Sequence, residues 1–229
     1  MTYVIKSFSR RIGRKLRPSQ KEYIKCFLPT INLDGKSLEI INLDELFDSS
    51  IHAYELEIGF GSGEHMIARA LDNLQTGYIG CEPYLNGVAR ALSLIKQNKI
   101  SNIKIYSDDA GHIINRLENQ SINQIWILFP DPWPKKRHHI RRIINQAFLA
   151  KLSRILKNNG RLVIATDHEG YAKWILEQTK MSKIFELNQI SDDLREFPAK
   201  WYKSKYQLKA EAQGLAPFYF EFEHICSIT

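Results

Sequence analysis

The sequence predicts an α/β fold in which a mostly parallel β-sheet carries helices on both faces. Short apolar segments typical of strands alternate with amphipathic segments typical of helices over most of the chain. One apolar segment, residues 125–129, has no polar interruption, as expected for a strand that is buried on both faces. The length of 229 residues allows a full hydrophobic core without disulfides.

The predicted elements follow one another in a regular order from residue 54. The apolar segments predict strands at residues 54–58, 78–81, 103–106, 125–129, 161–166 and 218–225. Apolar residues at helical spacing predict helices at residues 64–74, 85–98, 113–117, 139–157 and 171–179. The helix at 139–157 is expected to end at Asn158-Asn159-Gly160, and residues 26–53 are expected to be irregular.

Acidic side chains stand at or directly beyond the ends of the first five predicted strands. The residues concerned are Glu57, Glu82, Asp109, Asp131 and Asp167. In open α/β sheets the ligand crevice lies at the carboxyl ends of the strands. The pattern therefore places candidate site residues at the edge of the sheet where a ligand is expected.

The net charge of +7 is concentrated at the N-terminus. Residues 1–25 contain eight basic residues and one acid, whereas the rest of the chain has equal numbers of both. We expect residues 1–25 to form a flexible basic arm and residues 26–229 to form one domain. The arm indicates a polyanionic partner, although a solvated tail or a transit peptide would have a similar composition.

The composition argues against several classes of protein. No apolar run reaches the roughly 18 residues of a membrane-spanning helix, so no membrane association is expected. The three cysteines are far apart and the seven histidines are scattered, which predicts no metal site and no disulfide framework. These features fit a reducing compartment, and we expect a cytoplasmic protein.

A glycine-rich turn follows the first predicted strand. Gly59, Gly61 and Gly63 allow a sharp turn and close approach of a ligand to the backbone. Glu82, at the end of the second strand, can accept hydrogen bonds from a ribose diol. Glu57 would repel the pyrophosphate of a dinucleotide, but it suits a cationic ligand. These residues favour S-adenosyl-L-methionine, whose sulfonium and ammonium groups are positive.

These positions resemble the class I S-adenosylmethionine-dependent methyltransferases, which have a Rossmann-like fold. The resemblance implies that Glu57 and the glycine turn bind the amino-acid end of the cofactor. It also implies that Glu82 binds the ribose and that Asp109 reaches the adenine. Asp108 is the alternative for the last role, but Asp109 directly precedes Ala110, as in the family pattern.

The segment after the fourth strand is rich in proline and basic residues. Residues 129–139 read Phe-Pro-Asp-Pro-Trp-Pro-Lys-Lys-Arg-His-His. The prolines predict a rigid turn that presents Asp131 and Trp133 to the crevice. A flat base could stack on Trp133 while Asp131 accepts hydrogen bonds from the N–H groups of that base. The basic residues that follow are suited to binding phosphates. Separately, Trp133 could be a core anchor, Asp131 a helix cap and the cations a solvated surface.

This segment closely resembles the signature of bacterial tRNA (guanine-N7-)-methyltransferases. Arg141-Arg142, residues 165–167 and the arm around residues 7–11 continue the match. The resemblance implies transfer of a methyl group from S-adenosyl-L-methionine to guanine N7 at position 46 in the tRNA variable loop, with S-adenosyl-L-homocysteine as the other product. It implies that Asp131 acts in catalysis, beside the cofactor.

The resemblance also implies a set of substrate-binding residues. Lys135 and Asp167 would contact the tRNA, together with a late motif that reads Ser204-Lys205-Tyr206-Gln207 here. The family pattern has a glutamate at its last position, so Gln207 replaces a carboxylate with an amide that can still form hydrogen bonds.

Two other functions remain open from the sequence. One is a methyltransferase that acts on an exocyclic amine of DNA or on a small molecule. The other is a non-catalytic RNA-binding protein built on a methyltransferase scaffold. Glu57, Glu82, Asp109 and Asp131 together favour a catalyst, since a binding protein needs none of these four acids. The oligomeric state is expected to be a monomer or a homodimer.

Overall fold

Two units, Met1–Glu118 (unit 1) and Asn119–Thr229 (unit 2), make up the chain. The structure, a computed structural model, describes residues 11, 13–33, 39–188, 194–196, 201–203 and 205–225, without the side chains of residues 205 and 206. No helix in these described ranges is long and apolar enough to cross a membrane.

Unit 1 contains three parallel strands in the order β3-β2-β1. Its elements in chain order are α1 (Pro18–Glu22), a π-helical segment (Tyr23–Phe27), α2 (Leu28–Ile31), α3 (Leu43–Leu46), β1 (Ala53–Ile58), α4 (Glu64–Asp72), β2 (Thr76–Cys81), α5 (Leu85–Gln97), β3 (Ile103–Tyr106) and α6 (Ala110–Ile114). The three strands and the helices after β1 and β2 lie where the hydrophobic pattern predicts them.

The N-terminal helices pack on the core of unit 1. Tyr23, Phe27 and Ile31 contact a cluster of buried side chains that includes Met66 on α4 and Leu92 on α5. The helical run from α1 to α2 crosses the expected boundary between arm and domain at residue 25. Residues 18–25 bear out the weak helical character of the sequence there, whereas α2 lies in a segment that was expected to be irregular.

Unit 2 contains four strands in the order β4-β5-β7-β6. β4 and β5 are parallel, whereas β7 is antiparallel to both of its neighbours. The elements in chain order are β4 (Ile122–Leu128), a 3-10 helix (Lys136–Arg141), α7 (Gln146–Ile155), β5 (Leu156–Thr166), α8 (Glu169–Ser182), β6 (Phe185–Leu187), α9 (Lys205–Ala212) and β7 (Phe218–His224). β6 and α9 carry too short or too weak a pattern to be predicted.

The single helix predicted over residues 139–157 is wrong. The 3-10 helix ends at Arg141, and α7 begins only after Asn145, whose side chain accepts a hydrogen bond from the Phe148 N–H. β5 then starts directly at Leu156, so the expected helix end at residues 158–160 lies inside a strand. The 3-10 helix has no buried residue and its Ile140 is exposed, so apolar residue type in this segment did not indicate a buried helix face.

Candidate active site

The glycine turn of unit 1 has the conformation that requires glycine. Gly59, Gly61 and Gly63 have φ angles of 75°, 57° and 81°, in the left-handed region. A Cβ atom added at Gly59 would meet nothing within 4 Å. The backbone here borders open space, so a ligand can approach it closely.

Glu82 holds the glycine turn in place. Its side chain is 7% exposed and accepts hydrogen bonds from the backbone N–H groups of Gly61 and Tyr84, both at 2.8 Å. A Cβ at Gly87, in the first turn of α5, would lie 2.3 Å from the carbonyl oxygen of Gly61. The turn, Glu82 and the start of α5 are therefore packed together without room for a larger residue.

Asp109 is buried beside Glu82 at the ends of β3 and β2. Burial raises the pKa of the Cys81 thiol, and the charges of Asp109 and Glu82 raise it further, which shows that both carboxylates lie near this side chain. Asp109 also caps α6, since its Oδ1 accepts from the Gly111 N–H at 2.8 Å. Asp108 instead forms an ion pair with the exposed Arg11. Asp109 is thus the more enclosed of the two candidates.

Glu57 has a protein partner that the sequence reasoning missed. Its Oε2 lies 2.7 Å from Nδ1 of His65, which is 1% exposed on α4. A second pair lies beside it, two residues earlier on β1 and four residues later on α4. There Glu55 accepts two hydrogen bonds from Arg69, at 2.6 and 2.8 Å. Acids at alternate positions of a strand and bases four apart on a helix are the signal that could have revealed both pairs.

The proline turn of unit 2 has a strained backbone around an exposed carboxylate. Phe129 and Trp133 have positive φ angles of 53° and 44°, which are uncommon for residues with a side chain. Asp131 lies between them, three residues after β4 ends, and is exposed. Neighbouring protein atoms partly desolvate its carboxyl group and raise its pKa. Strain of this kind clusters at functional sites.

Trp133 already has aromatic and cationic neighbours. The guanidinium of Arg141 lies 4.9 Å from its ring centroid, and the His138 ring meets it edge-on at 5.9 Å. Partial desolvation lowers the pKa of His138, and the charges of Arg141, Arg137 and Lys135 lower it further. A base that stacks on Trp133, as the sequence suggested, would have to share the ring with Arg141.

The basic residues after the turn divide into two groups. Lys135, Lys136 and Arg137 are exposed, as a contact with phosphates requires. Arg142, expected in the same group, is only 3% exposed and lies between aromatic rings. Asp167 is partly exposed directly after β5.

Gln207 lies in a buried network. Its side chain is fully buried on α9, accepts from the Trp201 indole N–H at 2.6 Å and donates to Glu211 at 2.7 Å. Trp201 in turn packs on Trp126 of β4. This placement argues for a role in the core of unit 2. Ser204 lies outside the described residues, as do the side chains of Lys205 and Tyr206.

Metal ligation finds no support in these side chains. Within the ranges that the structure describes, no three His, Cys, Asp or Glu residues are grouped closely enough to hold an ion.

Similarity to known proteins identifies the family. A family model described as "Putative methyltransferase" matches residues 52–219. The tRNA (guanine-N(7)-)-methyltransferase of Agrobacterium fabrum is 38% identical over 216 residues, which cover 94% of this chain and 93% of that protein. The enzyme of the same name from Bartonella quintana is 38% identical over 94% of both chains. The chain belongs to the tRNA (guanine-N7-)-methyltransferase family.

Solved structures of methyltransferases confirm the α/β fold that the sequence predicts. The 16S rRNA methyltransferase KamB has a TM-score of 0.61 at 12% identity and covers 85% of this chain and 99% of its own. An antibiotic-related methyltransferase has a TM-score of 0.57 at 18% identity, with coverage of 84% and 99%. The chain therefore has the Rossmann-like fold of the class I methyltransferases.

Unit 1 fits the cofactor of this family, S-adenosyl-L-methionine. The open space beside Gly59 would accept an extended ligand, and a Cβ there would intrude on it. Glu82 and Asp109 bring two buried carboxylates to the ends of neighbouring strands, and an ionised carboxylate is purely an acceptor of hydrogen bonds. The hydroxyl groups of a ribose and the amino group of an adenine are donors of the matching kind.

Proposed function

We propose that this chain methylates N7 of a guanine in tRNA, at position 46 of the variable loop, with S-adenosyl-L-methionine as the methyl donor. The observation that carries the proposal is the proline turn, where an exposed carboxylate on a strained backbone adjoins three exposed cations. Membership of the tRNA (guanine-N7-)-methyltransferase family supports the same reaction. The products would be 7-methylguanosine in tRNA and S-adenosyl-L-homocysteine.

In this proposal unit 1 binds the cofactor. Glu82 would accept hydrogen bonds from the ribose hydroxyls, and Asp109 would accept one from the amino group of the adenine. Glu57 and the glycine turn would hold the amino-acid end. Glu57 keeps acceptor capacity beyond its contact with His65, since a carboxylate has two oxygens. When bound, the cofactor supplies an electrophilic methyl group on a sulfonium centre.

Asp131 would orient the guanine and stabilise its developing charge. Guanine N7 carries an in-plane lone pair and no proton, so methyl transfer requires no general base. The purine ring becomes positive as N7 forms its new bond. A partly desolvated carboxylate interacts more strongly with such a charge than a fully hydrated one. A preformed turn also avoids reorganisation during the reaction.

The exposed cations of unit 2 would bind the tRNA backbone. Lys135 directly precedes the 3-10 helix, and Lys136 and Arg137 begin it with exposed side chains. Asp167 would contact the substrate from the end of β5. The basic arm would add phosphate contacts, and the site of action would be the cytoplasm, where tRNA and the cofactor are both present. Gln207 is left out of the proposed tRNA contact, because its side chain is fully buried.

A methylation assay with product identification tests the proposal. Unmodified tRNA transcript is incubated with methyl-labelled S-adenosyl-L-methionine, and the digested product is separated into nucleosides. We expect label in 7-methylguanosine and its loss from a transcript in which guanosine 46 is replaced by adenosine.

This assay, together with measurements of tRNA binding and cofactor binding, separates the two alternative functions. Label in an exocyclic N-methyl nucleoside would indicate the other class of methyltransferase. Binding of tRNA without measurable cofactor binding would indicate an RNA-binding protein that lacks catalysis. Either result contradicts the proposed reaction.

A further inference from the structure

Arg142 is a buried cation beside a cluster of exposed ones. Its guanidinium lies 5.0 Å from the ring centroids of both Tyr171 and Trp174. Its Nε donates a hydrogen bond to the carbonyl oxygen of Pro132 at 2.9 Å. With 3% of its surface exposed, this side chain is a poor candidate for contact with a phosphate in solution.

The rings that enclose Arg142 also hold the chain that follows it. Tyr171 and Trp174 stand three residues apart on α8, so their side chains share one face of the helix. The Trp174 indole donates to the Ile144 carbonyl oxygen at 2.7 Å, and the Tyr171 hydroxyl accepts from the Ile144 N–H at 3.4 Å. The segment from Arg142 to Ile144 is thereby fastened to α8 at both ends.

The hydrogen bond from Arg142 is accepted by Pro132, the residue directly after Asp131. Because the peptide unit is planar, fixing the Pro132 carbonyl oxygen also fixes the amide of Trp133. Trp133 has the uncommon φ angle of 44°, and such a backbone persists only where its surroundings hold it. Burial raises the pKa of Tyr171, and the charge of Asp131 raises it further, which places the carboxylate near the same ring.

We propose that Arg142 is a positioning residue for methyl transfer, which aims the carboxylate of Asp131 by holding the Pro132 carbonyl between the proline turn and α8. The inference rests on the proposed function of Asp131. Arg142 thus has a different role from the exposed cations Lys135, Lys136 and Arg137, which would bind phosphates. A lysine could not replace it, because the planar guanidinium both lies over the two rings and donates sideways to the carbonyl.

Steady-state kinetics of Arg142→Lys, with Arg137→Gln as the comparison, tests this inference. For Arg142→Lys we expect kcat to fall on the order of 100-fold, as small misplacements of a catalytic group do. The KM for tRNA and the slope of log KM against log salt concentration should stay near those of the wild type. Arg137→Gln should raise KM and make the salt slope shallower by about 0.7 to 0.9 for the lost phosphate contact.

The two possible roles of Arg142 give opposite results. A raised KM with a shallower salt slope and an unchanged kcat would identify a phosphate contact and overturn the proposal. As a second readout, Arg142→Ala should regain part of its kcat with added ethylguanidinium but not with sodium chloride at equal ionic strength. No recovery in a folded variant would contradict the positioning role.

Controls separate this inference from loss of fold and from the proposed function. Thermal melting shows whether each variant is folded. If the Arg142 variants are unfolded, Trp174→Phe keeps a ring beside Arg142 and removes the hydrogen bond to Ile144. An unchanged kcat in that variant would then overturn the proposal. The wild-type enzyme is assayed in parallel, since absence of 7-methylguanosine there would reject the proposed function itself.

Discussion

The carboxyl group of Asp131 has a pKa above its ordinary value of 3.8, because surrounding protein atoms partly desolvate it. Ionisation of this group is therefore less favourable in the folded chain than in the unfolded chain. The same desolvation strengthens its attraction for a positive purine ring. One side chain thus links the proposed catalysis to the pH dependence of stability.

Asp131→Asn is expected to lower kcat by about 100-fold or more, as the loss of an electrostatic stabiliser does. Cofactor affinity, measured by calorimetry, should change little. The variant should also be more stable than the wild type at pH 7, because asparagine carries no charge that folding must desolvate.

The stability difference has a defined direction with pH. A carboxyl group whose pKa is raised by folding destabilises the fold as pH rises above the unfolded value of 3.8. The gap in melting temperature between variant and wild type should therefore close as the pH falls toward that value. A variant less stable than the wild type at pH 7, or one that loses cofactor binding and kcat equally, would contradict this account.

Alanine substitution of Gly59 tests whether the glycine turn binds the cofactor, with Gly214 as the matched control. Gly59 and Gly214 have φ angles of 75° and 72°, and a Cβ at either position meets nothing within 4 Å. Alanine at each should cost about 1–2 kcal/mol of stability through the left-handed backbone alone. Only Gly59→Ala should weaken cofactor binding in calorimetry, since its Cβ would enter the proposed ligand space. Equal affinities in the two variants would remove the turn from the cofactor site.

At the scale of elements, two neighbouring pairs of acidic and basic side chains connect β1 to α4. Glu57 meets His65, and Glu55 meets Arg69, so the carboxylates of one strand face the bases of one helix. The pKa of Arg69 is raised, because the interactions with Glu55 outweigh desolvation by burial. These pairs orient the helix that begins at the glycine turn.

Arg69→Met is expected to destabilise the protein by about 3–5 kcal/mol, because it removes the cation that balances the buried Glu55 carboxylate. The control is Lys173→Met, which removes the partner of Glu169 in an exposed pair on α8 and should change stability little. Urea denaturation measures both changes. Similar free energies of unfolding for the two variants would show that the buried pair contributes no more than a surface pair.

The break between the 3-10 helix and α7 shapes the surface of unit 2 that is proposed to bind tRNA. It allows Arg142 to turn inward while the cations before it stay exposed. A continuous helix over residues 139–157 would follow one axis and keep a single buried face. The side chain of Asn145 caps α7 and so restarts the helix after the break.

At the scale of the whole molecule, the positive charge has an unequal distribution along the sequence. The basic residues Arg14, Lys15 and Arg17 are exposed, while the backbone around them is held by Asn86, which accepts from the Gly13 N–H and donates to the Arg14 carbonyl. A deletion of the arm would also remove these contacts. Substitution of the side chains leaves them in place.

Replacing Arg14, Lys15 and Arg17 with glutamine should weaken tRNA binding and make the log–log salt slope shallower by about 2 to 3. Filter binding at several salt concentrations measures the slope. Glutamine at the exposed Lys180 and Lys183 is the comparison, which should leave the slope nearly unchanged. An identical slope for the arm variant and the wild type would exclude the arm from phosphate binding.

The sequence by itself determined the features that depend on local periodicity and backbone geometry. Strands β1, β2 and β3 lie where the apolar pattern predicts, because strands covered on both faces are short, largely apolar segments. The three glycines predict a sharp turn, and all three have left-handed φ angles, which other residues adopt at a cost. The family is likewise determined at this level, because the glycine turn and the proline turn are contiguous segments whose residue order alone is distinctive.

Only the tertiary structure decided the surroundings of individual polar side chains. Arg142 looked like its basic neighbours, and Gln207 looked like a substrate contact, yet both are buried. Their partners, Trp174 and Trp201, come from other segments of the chain. Whether a polar group is hydrated or enclosed depends on what packs around it, and periodicity within one segment carries no information about those neighbours.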